Sequence, residues 1–248
     1  MKYVTVGFTD KGTRKTVNQD AVLMVTLGKC DEDVLTIVCD GMGGLDQGEF
    51  ASHEVVRAFL DWSKLKYLKL EKAKNLEAFE DLLYESWESL LQEVHQTIYT
   101  YGRKNKMRIG TTVTAMLFRK GIYYIVHVGD SRSYEIKKDV RRLTQDQTLA
   151  DIVGGIHESD SNVLIQGIGA SRVIRPVYQS GKAEQGAVYL LCSDGLGNTI
   201  KDIEFPAYLN IAERMDKVIL ERACRELVGE ARKRGEKDDI SVLLIYQK

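Results

Sequence analysis

The chain alternates between short apolar runs rich in β-branched and aromatic residues and longer stretches in which apolar residues recur every three or four positions. The short runs have the length and composition of β-strands. They predict strands at Tyr3 to Thr9, Ala21 to Thr26, Val34 to Cys39, Thr111 to Arg119, Ile122 to Val128, Arg132 to Lys137, Arg175 to Gln179, Ala187 to Cys192 and Ser241 to Tyr246. These strands are sufficient for two antiparallel sheets.

Three stretches have the apolar spacing of amphipathic helices. Two of them lie between the third and fourth predicted strands, and the third precedes the last strand. We interpret the stripes as core contacts and not as binding surfaces, so the expected fold class is α+β. The stripes consist of Ala51, Val55, Phe59 and Trp62; of Leu76, Phe79, Leu83, Trp87, Leu90, Val94, Ile98 and Tyr101; and of Ile219, Ala223, Leu227 and Ala231.

Composition limits the class of protein. With 248 residues, of which 44% are hydrophobic and 29% charged, the chain can bury a large core as one domain over 1–248. A formal net charge of -1 favours neither nucleic acid nor a membrane surface as a partner. The first residues begin an alternating strand instead of a signal peptide, and no apolar run approaches the roughly 20 residues of a membrane span. We therefore expect a cytoplasmic protein.

Cysteine, histidine and serine offer only weak candidates for chemistry. The cysteines have no CxxC spacing and are interpreted as reduced core residues. His127 lies inside a predicted strand, where an imidazole packed in the core is more common than a catalytic base. Ser193 is next to Asp194, but no Ser-His-Asp arrangement surrounds it, so we do not interpret it as a nucleophile.

Aspartate recurs at strand boundaries. The apolar segments that end at Cys39 and Cys192 run closely into an Asp-Gly pair, as TIVCDGMGG and LLCSDGLGN. Asp-Gly is also a strong hairpin-turn signal, so a single occurrence indicates a turn more often than a site. Asp20 precedes the second predicted strand, and Asp238 and Asp239 precede the last. A turn does not require aspartate at so many boundaries, and the pattern predicts that strand ends bring carboxylates together.

Carboxylates clustered without histidine or cysteine are typical ligands of Mg²⁺ or Mn²⁺, which prefer oxygen, and zinc is therefore disfavoured. Such carboxylates repel one another strongly when they are close, and bound cations relieve that repulsion. Two cations, typically about 3.5–4 Å apart, can activate a water for in-line attack on phosphorus. The cluster therefore predicts hydrolysis of a phosphate ester.

Seven short segments carry a family resemblance. In chain order they are VNQD at Val17 to Asp20, DGMGG at Asp40 to Gly44 with GEFAS at Gly48 to Ser52, GTTVTAML at Gly110 to Leu117, VGDSRSY at Val128 to Tyr134, LTQDQT at Leu143 to Thr148, LLCSDGL at Leu190 to Leu196 and KDDISVLLI at Lys237 to Ile245. In this order they closely resemble the metal-dependent protein phosphatases known as PPM or protein phosphatase 2C. The resemblance implies a four-layer αββα sandwich of two antiparallel sheets flanked by helices, with an open cleft at one edge.

The resemblance also implies roles for the aspartates. Asp40 matches the carboxylate that bridges two metal ions, with the Gly41 carbonyl as a further ligand. Asp20, Asp194 and Asp238 match the carboxylates that hold the pair directly or through water. The expected cofactors are two Mn²⁺ or Mg²⁺ ions, and Asp40 and Asp194 are expected to be essential for turnover, in which water attacks phosphorus without a phosphoenzyme.

Asp130 resembles the residue that in bacterial relatives helps to bind a weaker third metal, commonly together with Asp194. A turn aspartate after the strand Ile122 to Val128 is the alternative interpretation.

The substrate-binding position departs from the family pattern. An arginine usually stands five residues before the first metal aspartate and holds the substrate phosphate, whereas this chain has Lys15, with Arg14 beside it. Lysine supplies a positive charge without the bidentate fork of a guanidinium. Either Arg14 reaches the phosphate through a shifted loop, or phosphate binding depends on Lys15 as a point charge, or both residues lie on an exposed turn.

Other departures surround the site. Where the family often has Asp-Asn before the last strand, this chain has Asp238-Asp239, and the added charge either tightens metal binding or faces solvent. Gln147 replaces a common histidine, and Met42 stands where some relatives have a histidine proposed as general acid. Residues 147–168 are fewer than in the flap of bacterial relatives, so we expect a shortened flap and a more open site.

Residues and resemblance together predict a serine/threonine phosphoprotein phosphatase. Its expected partners are phosphorylated proteins, such as a serine/threonine kinase or the targets of one, and we expect a monomer without a nucleic acid or membrane partner. Two alternatives stay open. One is a non-catalytic module that keeps the sandwich for binding, a class that typically loses metal aspartates. The other is a phosphatase restricted to one partner.

Overall fold

The computed structural model describes residues 3–28, 32–43, 47–149, 165–209 and 215–248. Within these residues the strands are β1 (Tyr3–Asp10), β2 (Asp20–Leu27), β3 (Asp33–Gly43), β4 (Ile109–Thr111), β5 (Val113–Arg119), β6 (Ile122–Val128), β7 (Arg132–Ile136), β8 (Val140–Arg142), β9 (Val177–Lys182), β10 (Val188–Cys192) and β11 (Ile240–Gln247). The helices are α1 (Gly48–Leu65), α2 (Tyr67–Leu70), α3 (Leu76–Asn105), α4 (Asp194–Gly197), α5 (Phe205–Leu209) and α6 (Lys217–Lys233), with a 3-10 turn at Asp202–Glu204.

The strands form two sheets whose pairings are all antiparallel. Sheet I has the order β1-β11-β10-β7-β8. Sheet II has the order β2-β3-β5-β6-β9, and β4 pairs with the end of β3. The predicted α+β class with two antiparallel sheets is confirmed.

Strand β3 shows why the sheets stack between helices. Leu35 and Ile37 belong to a core that includes Trp62 of α1 and Trp87 of α3. Val38, on the opposite face, belongs to the core formed with residues of sheet I. Because successive strand residues point to opposite faces, one continuous apolar run can serve both layers.

Helix α6 covers the outer face of sheet I. Leu220 and Leu227 on the helix share a core with Leu190 and Leu244 on the sheet. The layers therefore follow the order helix, sheet, sheet, helix, as the family resemblance implies.

Capping residues mark the start of α3 and α6. The Asn75 side chain accepts a hydrogen bond from the Ala78 amide at 2.8 Å, and Asp216 accepts one from the Ile219 amide at 2.9 Å. Each satisfies an amide that has no partner within the first helical turn. The three predicted helical stripes lie on α1, α3 and α6, whose apolar faces are buried.

The structure adds the unpredicted strand β8 and extends β3 beyond the predicted Cys39, and two further differences have a clear physical reason. The run from Thr111 to Arg119 is divided into β4 and β5, because Thr112 leaves the ladder and hydrogen-bonds the backbone of Asp40. Strand β9 begins at Val177, directly after Pro176, because proline cannot donate to a strand ladder. Among the described residues, no helix combines the length and the hydropathy needed to cross a membrane.

Candidate active site

Two neighbouring strands bring the first pair of aspartates together. Asp20 is the first residue of β2 and lies directly opposite Asp40 of β3 in the antiparallel register. Residues that face each other in this way share one side of the sheet. The strand ends therefore place two carboxylates side by side, as the sequence predicted.

The backbone of Asp40 is fixed by the two threonines between β4 and β5. Its amide donates to Thr112 Oγ1 at 2.9 Å, and its carbonyl accepts from the Thr112 amide and from Thr111 Oγ1, each at 2.9 Å. Thr112 Oγ1 also lies 2.6 Å from Ser131 Oγ. These bonds hold Asp40 in place, and they give a role to the two threonines, which the sequence showed only as part of the GTTVTAML segment.

Asp194 enters the site from sheet I. It is the first residue of the short helix α4, and Ser193 precedes it after the end of β10. Its carboxyl group is close enough to Asp40 to contribute to the raised pKa of that residue. The buried Ser193 hydroxyl donates to Asp20 Oδ2 at 2.8 Å and accepts from the Ser241 amide at 2.9 Å. Ser193 is thus a support for Asp20.

Asp238 lies in the turn before β11. Its carbonyl accepts a hydrogen bond from Arg232 Nη1 at 2.7 Å, and Arg232 Nε donates to Asp10 Oδ2 at 2.8 Å. The Asp238 carboxylate lies within electrostatic range of Asp194. Arg232, which carried no signal in the sequence, therefore joins α6, the end of β1 and the Asp238 turn.

Burial and mutual repulsion raise the pKa values of these carboxylates. Burial raises the pKa of Asp20 to about 7, against the nearby hydroxyls of Ser241 and Ser193, which lower it. Burial and then the charges of Asp20 and Asp194 hold the pKa of Asp40 well above its ordinary value. A positive ion placed among these groups would lower their pKa values, because it favours the ionised carboxylates.

Asp130 lies half-buried after β6. Burial, followed by the charges of Asp194 and Asp146, raises its pKa to about 7. It is close enough to Asp40 to raise the pKa of that residue as well. The structure therefore groups Asp130 electrostatically with the other aspartates.

The donor set is suitable for a hard cation. Asp20 Oδ1 is buried and has no hydrogen-bond partner among the described residues, so it is free to meet a cation. All the side chains that converge here offer carboxylate oxygen, which Mg²⁺ and Mn²⁺ prefer. Within the described part of the chain, no three acidic, histidine or cysteine side chains already surround a single point as metal ligands.

Gly41 is required by close packing. Its amide donates to the Gln19 carbonyl at 3.1 Å. A Cβ at this position would lie 2.4 Å from the backbone oxygens of Gln19 and Gly48, closer than real Cβ atoms come. Glycine therefore allows β3, the Asp20 strand and the start of α1 to meet beside the aspartates.

Lys15 and Arg14 both approach Asp238. Lys15 Nζ lies 3.2 Å from Asp238 Oδ1, and Arg14 Nη1 lies 3.7 Å from Asp238 Oδ2. The Lys15 side chain is 30% exposed and the Arg14 side chain 63%. Burial lowers the pKa of Lys15, but the charges of Asp238 and Asp40 outweigh it and leave that pKa raised. Lys15 is thus the more enclosed cation and faces the aspartates.

Asp239 requires a correction. Of the two expectations for its charge, exposure to solvent is wrong, because the residue is 2% exposed, whereas an effect on metal binding stays a prediction. Its two carboxylate oxygens accept hydrogen bonds from the backbone amides of Gly12 and Gln19, each at 2.8 Å. The sequence did not show this role, because both partners lie at the other end of the chain.

The remaining candidates lie at the edges of the site. His127 is buried in β6 and hydrogen-bonds Thr114 and Gln145, as predicted for a packed imidazole. Gln147 Oε1 accepts from the Gly129 amide at 2.9 Å, and so it supports the turn that carries Asp130. Most of the predicted flap, residues 150–164, is outside the described residues.

Comparisons with known proteins agree with this geometry. A family model described as Protein phosphatase 2C matches residues 10–227. The serine/threonine phosphatase stp of Listeria innocua is 30% identical over 229 residues, which cover 87% of this chain and 85% of that protein. The solved structure of the S. agalactiae serine/threonine phosphatase has a TM-score of 0.84 at 24% identity and covers 100% of both chains. The catalytic domain of the phosphatase PstP, solved with two manganese ions, has a TM-score of 0.78 at 23% identity over 98% of this chain and 97% of that chain.

Proposed function

This chain belongs to the protein phosphatase 2C family, whose named relatives are serine/threonine phosphatases, and we propose that it hydrolyses phosphoserine and phosphothreonine esters of other proteins at the aspartate cluster. The observation that carries this proposal is the meeting of Asp20, Asp40 and Asp194. These residues come from two strands of sheet II and from the helix that follows a strand of sheet I. Carboxylates that are crowded and partly buried repel one another, which disfavours their ionised forms. Two divalent cations supply the opposing positive charge.

The proposal assigns two Mn²⁺ or Mg²⁺ ions to Asp20, Asp40, Asp194, Asp238 and the Gly41 carbonyl. When bound, such ions lower the pKa of water and neutralise charge that develops on phosphoryl oxygens. Support comes from Asp20 Oδ1, which is buried and has no hydrogen-bond partner in the described part of the chain, and from the relative PstP, which was solved with two manganese ions. A weaker third ion at Asp130 with Asp194 belongs to the same proposal and is supported by their electrostatic proximity.

Lys15 is proposed to meet the substrate phosphate as a point charge. Its ammonium group lies at the edge of the cluster, where it interacts with Asp238 and Asp40. The more exposed Arg14 is the secondary cation. A lysine in this position contributes charge but not the paired hydrogen bonds of a guanidinium, so binding should depend strongly on ionic strength.

The substrates are proposed to be phosphorylated proteins, for instance a serine/threonine kinase or the targets of one. A monomeric, cytoplasmic enzyme is part of the same proposal. The described cysteines Cys39, Cys192 and Cys224 are buried and free, as in proteins of reducing compartments.

A direct test measures hydrolysis of para-nitrophenyl phosphate and of a phosphothreonine peptide with Mn²⁺, Mg²⁺ or chelator. Wild type is compared with Asp194→Asn and with Asp139→Asn, which changes an exposed aspartate in the β7–β8 turn. The proposal expects metal-dependent turnover that is lost only in Asp194→Asn. Near-normal activity of Asp194→Asn would refute the assignment of the site. Metal binding without turnover in wild type would favour a binding module.

A further inference from the structure

The buried carboxylate of Asp239 joins both ends of one loop. This β1–β2 loop, residues 11–19, connects the end of β1 to the start of β2. Asp239 Oδ1 accepts from the amide of Gly12, and Oδ2 accepts from the amide of Gln19, each at 2.8 Å. Hydrogen bonds from an amide to an ionised carboxylate are stronger than neutral ones. A single side chain thus closes the base of the loop.

The backbone beside Asp239 reinforces this closure. The Thr13 amide donates to the Lys237 carbonyl at 2.8 Å. A Cβ at Gly12 would lie 2.2 Å from that same carbonyl oxygen, so the loop and the Lys237–Asp239 segment pack without room for a side chain. The base of the loop therefore has little freedom to shift while these contacts are present.

The loop carries Lys15 to the aspartate cluster. Lys15 Nζ lies 3.9 Å from Asp239 Oδ2 and 3.2 Å from Asp238 Oδ1. The Lys15 carbonyl also accepts a hydrogen bond from Lys11 Nζ at 3.0 Å, which braces the loop from within. Asp239 therefore acts on Lys15 in two ways, through the loop backbone and through its charge.

We propose that Asp239 is a positioning residue that holds the β1–β2 loop so that the Lys15 ammonium is preorganised to meet a substrate phosphate. The inference rests on the proposed function, which supplies the phosphate. A loop that is already ordered loses no conformational freedom when the substrate binds. The entropy lost on binding is therefore smaller than for a disordered loop. Loss of that order should raise KM more than it lowers kcat.

The variant Asp239→Asn tests this role, because an amide offers one acceptor oxygen and turns its NH2 group toward the second backbone amide. Asp33→Asn is the matched control. Asp33 is also buried, at 6% exposure, and it accepts hydrogen bonds from Arg119 and Tyr67. It lies at the opposite end of β3 from Asp40, about seven residues or roughly 23 Å along the strand.

The first readout is the kinetics of a phosphothreonine peptide at saturating Mn²⁺. We expect Asp239→Asn to raise KM about tenfold and to change kcat by less than about threefold, whereas Asp33→Asn should leave both within about twofold. Lys15→Gln should raise KM on its own. In the Lys15→Gln background, Asp239→Asn should then raise KM by a clearly smaller factor than it does in wild type, because the two residues act as one unit.

The second readout needs no activity. Trypsin can cleave the loop after Lys11, Arg14 or Lys15, so the rate of cleavage in the metal-free protein reports on loop order. We expect about tenfold faster cleavage in Asp239→Asn than in wild type or Asp33→Asn. If Asp239→Asn does not fold, Asp239→Glu replaces it, because glutamate keeps the charge but displaces the carboxylate by one methylene.

Unchanged KM together with unchanged cleavage would overturn the inference. A fall in Mn²⁺ affinity that matches the rise in KM would also overturn it, since Asp239 would then serve the metal site. An inactive wild type would instead refute the proposed function, and the trypsin rates would still decide whether Asp239 orders the loop.

Discussion

Lys15 Nζ lies 3.9 Å from Asp239 Oδ2, although the two residues are at opposite ends of the chain. Asp239 is buried by the loop that carries Lys15, and Lys15 also contacts the neighbouring Asp238. The cation proposed to meet the substrate is therefore tied to the same short segment that supplies a proposed metal ligand. The proposed substrate-binding and metal sites therefore share one structural element, the Lys237–Asp239 segment.

Lys15→Ala and Arg14→Ala should affect substrate binding unequally. Lys15 is the more enclosed and interacts with two aspartates, whereas Arg14 is largely exposed and lies 3.7 Å from Asp238. Solvent screens an exposed charge, so we expect Lys15→Ala to raise KM for a phosphopeptide about tenfold and Arg14→Ala less than about threefold. Steady-state kinetics at low and high salt would measure both. Equal small effects would contradict the assignment of Lys15.

Removal of metal should destabilise the protein as well as stop turnover. A ligand that binds only the folded state stabilises it by mass action, by about 2.7 kcal/mol at 100 times its Kd. After chelator treatment, we expect added Mn²⁺ to raise Tm in wild type and in Asp139→Asn. The rise should be much smaller in Asp40→Asn, which removes the carboxylate that interacts with both Asp20 and Asp194. Thermal scans over a Mn²⁺ series provide the measurement. An equal Mn²⁺ response in Asp40→Asn would place the ion elsewhere.

Ser193→Ala should weaken metal binding without removing a ligand. The Ser193 hydroxyl orients Asp20 and satisfies the Ser241 amide, so its loss frees the carboxylate and leaves a buried donor without a partner. Residues that orient a ligand typically change metal affinity by about 10- to 100-fold. Ser63→Ala is the matched control, since the buried Ser63 hydroxyl donates to the Leu60 carbonyl within α1. Titration calorimetry with Mn²⁺ should separate the two variants, and equal affinities would exclude a positioning role for Ser193.

The sequence was sufficient to find the aspartates because each stands beside an apolar run whose periodicity defines a strand. Asp20 and Asp40 even occupy opposite positions in one strand pair. The fold class followed from the same runs, because continuous burial on both faces of β3 is what a layer between a helix and a second sheet requires.

The supports of the site could not be predicted in the same way, because they depend on contacts across long stretches of chain. The hydrogen bond from Asp40 to Thr112 spans 72 residues, that from Ser193 to Asp20 spans 173, and that from Gln19 to Asp239 spans 220. No local pattern encodes such pairs. Two of the departures from the family pattern, Lys15 and Asp239, looked independent in the sequence, yet the fold brings them into one ion pair. The shortened flap at 147–168 stays a prediction.

His127 should make the stability of the fold depend on pH between about 4 and 6.5. Its Nε2 lies 3.0 Å from the Gln145 carbonyl oxygen, which can only accept, so Nε2 carries the proton and Nδ1 faces Thr114 Oγ1 at 2.9 Å. Burial lowers the pKa of His127 to about 4, below the value of about 6.5 expected in the unfolded chain.

The direction in which stability changes with pH follows from proton binding. Between these two pKa values the unfolded chain binds the proton and the folded protein does not, so stability is lost as pH falls through this window. The loss attributable to His127 should reach about 2 kcal/mol at pH 5 relative to pH 8. Urea unfolding of wild type and His127→Gln across this range tests it, with His53→Gln, on the exposed face of α1, as the control. We expect the free energy of unfolding to vary less with pH only in His127→Gln, because glutamine does not titrate. If this variant showed the same pH dependence as wild type, His127 would not be the source of the effect.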